Sequence, residues 1–396
     1  MARLASALTL TLPRRQRIDR LGALLAAVGT VALVLLPFVL LKPNRILPGE
    51  PRSLLEVLPA WQALGCLAVL ALAAATALAV ANPRLRLAAA LAGLVAVSVA
   101  AAACANLLTP PGNKVVRIAA GPAVWIVLVC LGLMATDAIT RLRPGPAVRV
   151  ASLGLLFVVA GAALAHGTFD NLSIMREYAV NAARFWQEAR RHVWLSVGSL
   201  FAAVLAGVPL GVLCYRIPRL RAPLLGVLNV IETVPAIALF GILMAPLGAL
   251  AAAAPWAEAL GIRGIGAAPA VVALFLYALL PIVANTVAGL RRVSRATVEA
   301  ALGMGMTQWQ ALSRIELILA LPVVLTGIRV VLVQNIGMVT IAALIGGGGL
   351  GTFVFQGIGQ TAIDLVLLGA IPIVALAFSA SVLLDALIEV VNRGQT

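Results

Sequence analysis

Apolar residues in this chain run almost without interruption for about twenty positions at a time, stop at short charged or proline-bearing breaks, and start again. A helix of that length matches the roughly 30 Å hydrocarbon core of a bilayer. The runs fall at 21–41, 60–81, 87–108, 118–139, 148–165, 193–215, 224–250, 268–290, 321–346 and 362–391. They are continuous and not alternating, which excludes a β-barrel. Charged residues make up 11% of the 396, against about 25% in soluble domains, and 62% are hydrophobic. So little polar surface cannot coat soluble domains. The fold class read from this pattern is all-α: a polytopic helical membrane protein of about ten transmembrane helices. The first run is too long for a signal-peptide core and reads as an uncleaved anchor helix.

The net charge of +15 does not indicate a nucleic-acid partner. Its carriers, nearly all arginine, cluster between apolar runs, as in Arg14-Arg15-Gln16-Arg17. With the amino terminus inside, alternate loops carry 18 Lys and Arg, against 10 in the opposite set. The bias predicts both termini in the cytoplasm, a lipid membrane as the partner of this charge, and residence in the cell (inner) membrane. Cys66, Cys104, Cys130 and Cys214 lie in or at the ends of apolar runs and read as packing residues. His166 and His192 stand alone, so neither they nor the cysteines form a metal site. No catalytic set and no cofactor-binding motif is evident.

Three regions follow from the distribution of polar residues. Residues 1–165 hold five helices with almost no buried polar group, an accessory membrane region. Residues 166–192 read as an external amphipathic helix, with Ala179, Ala183 and Trp186 on its apolar face. Residues 193–391 carry most of the intramembrane polar residues. A carboxylate at mid-membrane costs about 2.5–3.5 kcal/mol on insertion scales. Glu232 is therefore a candidate for a translocation pathway, unless it sits at the interface. Asn285, Thr286, Gln334, Asn335 and Thr340 are further pathway candidates, with interhelical hydrogen bonding as the alternative. Arg329 is placed to snorkel to the surface, and Asp364 and Asp385 to lie at interfaces. Gly207 and Gly211 form a G-x-x-x-G that favours close helix packing. Gly346 to Gly349 suggest a close approach of two backbones or a flexible gate.

The loop 291–320 reads as two short helices joined by a glycine turn. Ser294 or Thr297 caps the first, Gly303 and Gly305 break it, and Thr307 with Gln310 opens the second through a capping box. Such a compact, partly apolar loop reads as a docking element for a cytoplasmic partner. It resembles the E-A-A-x-x-x-G signature of ABC importer permeases. Glu299, Ala300, Ala301 and Gly305 have the family spacing, and Ile315 falls at its later apolar position. Leu317-Ile318 stand where the family often has Leu-Pro; Leu321-Pro322 follows and is expected to open the next helix. Further stretches are similar to the osmoprotectant branch of that family: His192-Val193-Trp194-Leu195-Ser196, Glu232-Thr233-Val234-Pro235-Ala236, the segment Tyr277 to Val283 with Asn285-Thr286, and Ile345 to Gly351. The first five helices resemble the extended amino-terminal region of a low-affinity subgroup.

The resemblance implies a type I ABC importer permease core in the carboxy-terminal half and transport of glycine betaine, choline or related quaternary amines. It implies docking of a cytoplasmic ABC ATPase at Glu299, Ala300, Ala301, Gly305 and Ile315. It also implies a second permease subunit, identical or paralogous, and an extracytoplasmic substrate-binding protein. ATP and Mg belong to the ATPase: neither Lys42 nor Lys114 sits in a G-x-x-x-x-G-K-[ST] motif. Amino-acid permeases share the docking loop and remain an alternative substrate class. An ion-coupled secondary transporter is the alternative of a different class, and a non-transporting sensor or scaffold a third. The lack of an internal repeat weighs against the second, and the polar residues of residues 193–391 against the third.

Overall fold

The structure, a computed structural model, describes residues 19–45, 47–113 and 115–394. The basic cluster at residues 14–17 lies outside them. The chain divides into two compact units: Met1–Pro144 with His166–Ser173, and Gly145–Ala165 with Ile174–Thr396.

In the first unit, α1 (Arg20–Leu35), α3 (Ala60–Ala79), α4 (Pro83–Leu108) and α5 (Pro122–Leu142) pack around a core of small residues. Ala63, Ala73, Ala90 and Cys104 are fully buried there, which lets the helices approach closely. The expected first run, 21–41, is split. Pro37 cannot extend a helix, Leu36 is extended, and the chain turns into β1 (Val39–Lys42). This strand lies between β2 (Glu50–Arg52) and β3 (Arg117–Ala120) in a three-stranded antiparallel sheet, followed after β2 by the short α2 (Leu54–Val57). The sheet was not expected, because its strands are only three or four residues long and carry no alternation.

At the opposite end of this unit lies a ring of four charges. Asp19, the N-cap of α1, accepts from Arg86 at 2.6 Å and from Arg141 at 2.5 Å. Asp137 lies 2.9 Å from Arg141 and 3.4 Å from Arg86. Arg86 is 4% exposed, so its charge is held by these partners and not by water. Composition averages hide such a cluster, because its members spread over 122 positions in sequence.

In the second unit, the described helices are α6 (Pro146–Ala165), α7 (Ser173–Arg216), α8 (Pro218–Thr233), α9 (Ala236–Ala253), α10 (Pro255–Ala259), α11 (Ala267–Arg292), α12 (Arg295–Gly303), α13 (Gln308–Ala311), α14 (Leu317–Ala342), α15 (Gly351–Gly359) and α16 (Ile363–Arg393). Nine helices among the described residues are long and apolar enough to cross a membrane; α1 is a shorter apolar helix. The membrane architecture read from sequence therefore holds, with four local corrections. The helix over 146–165 packs on α16, with Arg149 paired to Glu389, and belongs to the second unit instead of the first. Residues 166–192 are no separate external helix, since α7 runs from Ser173 through the sixth apolar run without a break. Its packed face there is Ile174, Tyr178, Phe185 and Ala189; Ala179, Ala183 and Trp186 face outward. The seventh run is broken at Val234-Pro235 into α8 and α9. Arg329 does not snorkel: it forms an ion pair with Asp385.

Gly207 and Gly211 do pack closely. A Cβ on Gly207 would come 2.8 Å from the Ile282 side chain, and one on Gly211 2.5 Å from Thr286 Cβ. The four cysteines are buried and free, as packing residues would be.

Burial raises the affinity of Asp19 for its proton, but hydrogen bonds from Arg86, the Gly22 N–H and Arg141 outweigh this and hold its carboxyl at about 2. A depressed carboxylate stabilises the fold above its ordinary range and loses that contribution as pH falls through about 2. Arg86→Leu breaks a buried ion pair and is expected to cost about 3–5 kcal/mol. Thermal unfolding of the detergent-solubilised protein should show a lowered midpoint. Because Asp19 then loses a main cause of its lowered pKa, the stability lost between the ordinary carboxylate range and about pH 2 should be smaller than in the parent.

Candidate docking surface and translocation path

The candidate docking segment is built by three local devices. α11 ends at Arg292, and Ser294 caps α12 by accepting from the Thr297 N–H at 3.1 Å. Gly305 takes φ +89°. Its N–H bonds the Leu302 carbonyl and the Met306 N–H bonds the Ala301 carbonyl, at 2.9 and 3.2 Å, which closes α12 in a Schellman motif. Thr307 and Gln310 then form the expected capping box, at 3.2 and 2.8 Å. One expectation fails. The second loop helix is not separate from the ninth span: α13 passes through a five-residue π-turn, Leu312–Glu316, into α14, and the whole run Gln308–Ile345 is helical. Pro322 lies inside α14 and does not open it.

Glu299, Ala300 and Gly305 are exposed on this segment, Ile315 is half-buried, and Ala301 is buried. Ala301 thus belongs to the inner side, with Ala311 and Leu312. The outer side also shows Leu302, Met304 and Trp309, the last two 74% and 71% exposed. Behind the segment, Glu316 is 2% exposed. It lies 3.6 Å from Arg216 at the end of α7, and the Tyr215 hydroxyl faces the same carboxylate. Arg216 also donates to the Gln308 carbonyl at 2.9 Å. None of Tyr215, Arg216 and Glu316 was singled out from the sequence, because their proximity depends on tertiary packing.

The other end of α14 meets the outer stretch of α7. After a 3₁₀ turn, Gly346, Gly348 and Gly349 adopt positive φ and carry the chain into α15. Glu188 accepts from the Gly349 N–H at 2.6 Å. His192, fully buried, accepts from the Leu350 N–H at 3.2 Å through Nδ1 and faces the Ile336 carbonyl through Nε2 at 2.9 Å. These partners assign a neutral imidazole with its proton on Nε2. Sequence reasoning set His192 aside as isolated. The available signal was helical: residues 188, 192, 196, 199, 203, 207 and 211 form one i, i+3/i+4 stripe once α7 is taken as continuous.

The pathway candidates are distributed and do not form one cluster. Glu232 is half-buried in the last turn of α8, beside the break, where Tyr277 donates to the Val234 carbonyl. Asn285 bonds the Pro281 carbonyl at 2.8 Å, and a Cβ on Gly327 would meet it at 2.7 Å. Thr286, buried against Gly211, bonds the Ile282 carbonyl at 2.8 Å. Asn335 is buried and donates to Ser199 on α7 at 2.9 Å, while its Oδ1 has no hydrogen-bond partner. Gln334 contacts Met338 Sδ at 3.7 Å, and Thr340 is half-buried near Gly351. No hydrogen bond or ion pair joins Glu232 to the other five among the described residues.

Residues 203–396 match the binding-protein-dependent transport system inner membrane component family. Residues 19–175 match the N-terminal domain of the ABC transporter permease YehY. The osmoprotectant import permease protein OsmW of Salmonella typhimurium is 44% identical over 50% of this chain and 86% of its own length. The carnitine transport permease protein OpuCD of Listeria monocytogenes is 40% identical over 52% and 86%, and the choline transport system permease protein OpuBD of Bacillus subtilis 38% over 53% and 87%. Among solved structures, the inward-facing MetNI methionine ABC transporter is similar over 52% of this chain and 95% of that one, at 20% identity and a TM-score of 0.47. The chain belongs to the binding-protein-dependent ABC permease family and is a multi-pass membrane permease.

Replacing His192 by Leu leaves the buried Leu350 N–H without its partner, at about 1–3 kcal/mol, while the Ile336 carbonyl keeps its place in the α14 hydrogen-bond ladder. Thermal unfolding in detergent should show the loss. His192→Gln, which can offer one donor and one acceptor, should recover part of it.

Proposed function

We propose that this permease forms the translocation path of an ATP-driven importer for small osmoprotectants such as glycine betaine, choline or carnitine. The matched relatives named for osmoprotectant, choline and carnitine transport support this substrate class. The observation that carries the mechanism is the docking segment. Glu299, Ala300 and Gly305 lie beside exposed Leu302, Met304 and Trp309, an apolar patch framed by charge that fits a protein partner. That partner is a cytoplasmic ABC ATPase, which holds ATP and Mg; this permease does no catalysis and carries no cofactor. The charge bias between loops supports cytoplasmic termini and a cytoplasmic docking segment, in the cell membrane. A second permease subunit completes the path, and an extracytoplasmic binding protein supplies substrate. ATPase closure moves the docking segments and shifts the population from inward-open to outward-open.

Glu232 is the pathway residue with the strongest support. It stands at the carboxy-terminal end of a half-helix, where backbone carbonyls and a carboxylate together attract a cation. Quaternary amines are cations of that kind. Asn285, Gln334 and Thr340, half-buried, are the candidates for secondary lining, while Thr286 bonds its own helix and packs against Gly211, and Asn335 ties α14 to α7.

Gly305→Val tests the docking reading. A Cβ at Gly305 meets nothing within 4 Å, so the substitution acts only through its positive φ. The strain, about 1–2 kcal/mol, unseats the Schellman turn. The variant should insert normally but co-purify with less ATPase and transport less. Parental co-purification and uptake would refute the assignment. Glu232→Gln removes the charge and keeps the shape. Uptake of a quaternary amine should fall roughly fivefold, the loss of about 1 kcal/mol of attraction, with ATPase association unchanged. Parental uptake in both Glu232→Gln and Glu232→Leu would remove Glu232 from the path.

A further inference from the structure

The docking segment is tied from behind to α7, and α7 is tied at its other end to the glycine loop. Resting on the docking reading above, we propose that Glu316 is the positioning residue that joins the docking segment to α7, so that motion of the segment reaches the glycine loop 346–351 through α7.

The argument begins with burial. Glu316 is 2% exposed, so it cannot itself touch a docked protein. The π-turn Leu312–Glu316 keeps its carboxylate on the inner face that also buries Leu312 and Ala320. A buried carboxylate is costly unless charge and hydrogen bonds compensate it. Here Arg216 supplies the charge at 3.6 Å and Tyr215 a facing hydroxyl. Arg216 simultaneously holds the Gln308 carbonyl at the start of α13. The last turn of α7 therefore grips the docking helix at both ends of its first turns. A π-turn is an irregularity that recurs at functional sites, and here it lies between the docking helix and the membrane span.

The second half of the argument is the length of α7. At 44 residues it extends about 66 Å, well beyond a bilayer core, and it stays helical through Pro209. Some 28 and 24 residues before Arg216 on the same helix, Glu188 and His192 hold the backbone of Gly349 and Leu350. Midway, Ser199 bonds Asn335 of α14. The docking segment, the core of α14 and the glycine loop are thus linked to one helix by polar contacts that, apart from the exposed Arg216–Gln308 bond, are buried or partly buried. If the docking segment shifts, α7 carries the shift, or the Glu316 contact breaks.

The test uses the full complex of permease, ATPase and substrate-binding protein in proteoliposomes. Glu316→Gln keeps the shape and removes the charge; Glu316→Asp keeps the charge and shortens the reach; Glu316→Ala removes both. In Glu316→Gln the ATPase should co-purify as in the parent, while substrate moved per ATP hydrolysed should fall roughly two- to thirtyfold, the range found for residues along a coupling network. Glu316→Asp should restore part of that ratio. Parental ratios in both Glu316→Gln and Glu316→Ala would overturn the joint. So would loss of ATPase association in Glu316→Gln with insertion intact, because that would make Glu316 part of the contact surface. If the parent itself bound no ATPase, the docking reading would fall and the joint with it; parental docking with parental coupling in every variant would overturn the joint alone.

Discussion

Two antiparallel helical runs, α7 and Gln308–Ile345, are fastened to each other near both ends and in the middle, and the functional parts of the second unit hang from these fastenings. At one end Arg216 and Tyr215 meet Glu316 and Gln308. In the middle Ser199 meets Asn335, and at the other end His192 and Glu188 meet Ile336, Gly349 and Leu350. In hydrocarbon, helix association gains little from hydrophobicity, since lipid tails are as apolar as leucine. Close packing at Gly207 and Gly211 and a few satisfied polar bonds must hold the pair together instead.

The same solvent restricts where the backbone can be irregular. Unpaired N–H and C=O groups are too costly against lipid, so breaks in helices survive only where protein groups or a water-filled cavity satisfy them. Two breaks in the second unit follow this rule. Tyr277 donates to the Val234 carbonyl beside the α8–α9 break. Glu188 and His192 receive the N–H groups of the glycine loop. In each case the residue that repairs the backbone comes from a different helix, so the breaks are also the joints between helices.

This explains what could be read from sequence and what could not. The apolar runs, the cap at Ser294, the Gly305 turn and the Thr307–Gln310 box are all local: each depends on residues within a few positions. The packing of Gly207 and Gly211 was legible for the same reason, since the motif needs only one helix. The Arg86 ring, the Arg329–Asp385 pair and the Glu316 contact join residues 56 to 122 positions apart and leave no local trace. The α7 misreading had another cause. The polar stretch 166–192 looked like a surface linker because its charges were counted without asking which face carried them. Glu188 and His192 lie on the inner stripe, and Trp186 on the outer one.

Polar residues inside apolar runs were first gathered into one group, and the structure divides them by what satisfies them. Thr286 bonds its own helix and fills the space opposite Gly211, which makes it a packing residue with a hydroxyl. Asn335 bonds Ser199 across two helices and is fully buried. Glu232 differs in kind: half-buried, near a helix break, and at the carboxy-terminal end of a half-helix, where the backbone dipole disfavours its negative charge. A carboxylate kept at such a position costs stability twice, through desolvation and through the dipole. A cation beside the carboxylate would offset both costs through its attraction to the carboxylate and to the helix carbonyls. On the proposed reading, a position that is poor for the empty permease suits a positively charged substrate, and this is the ground on which Glu232 is set apart from the residues that hold the helices together.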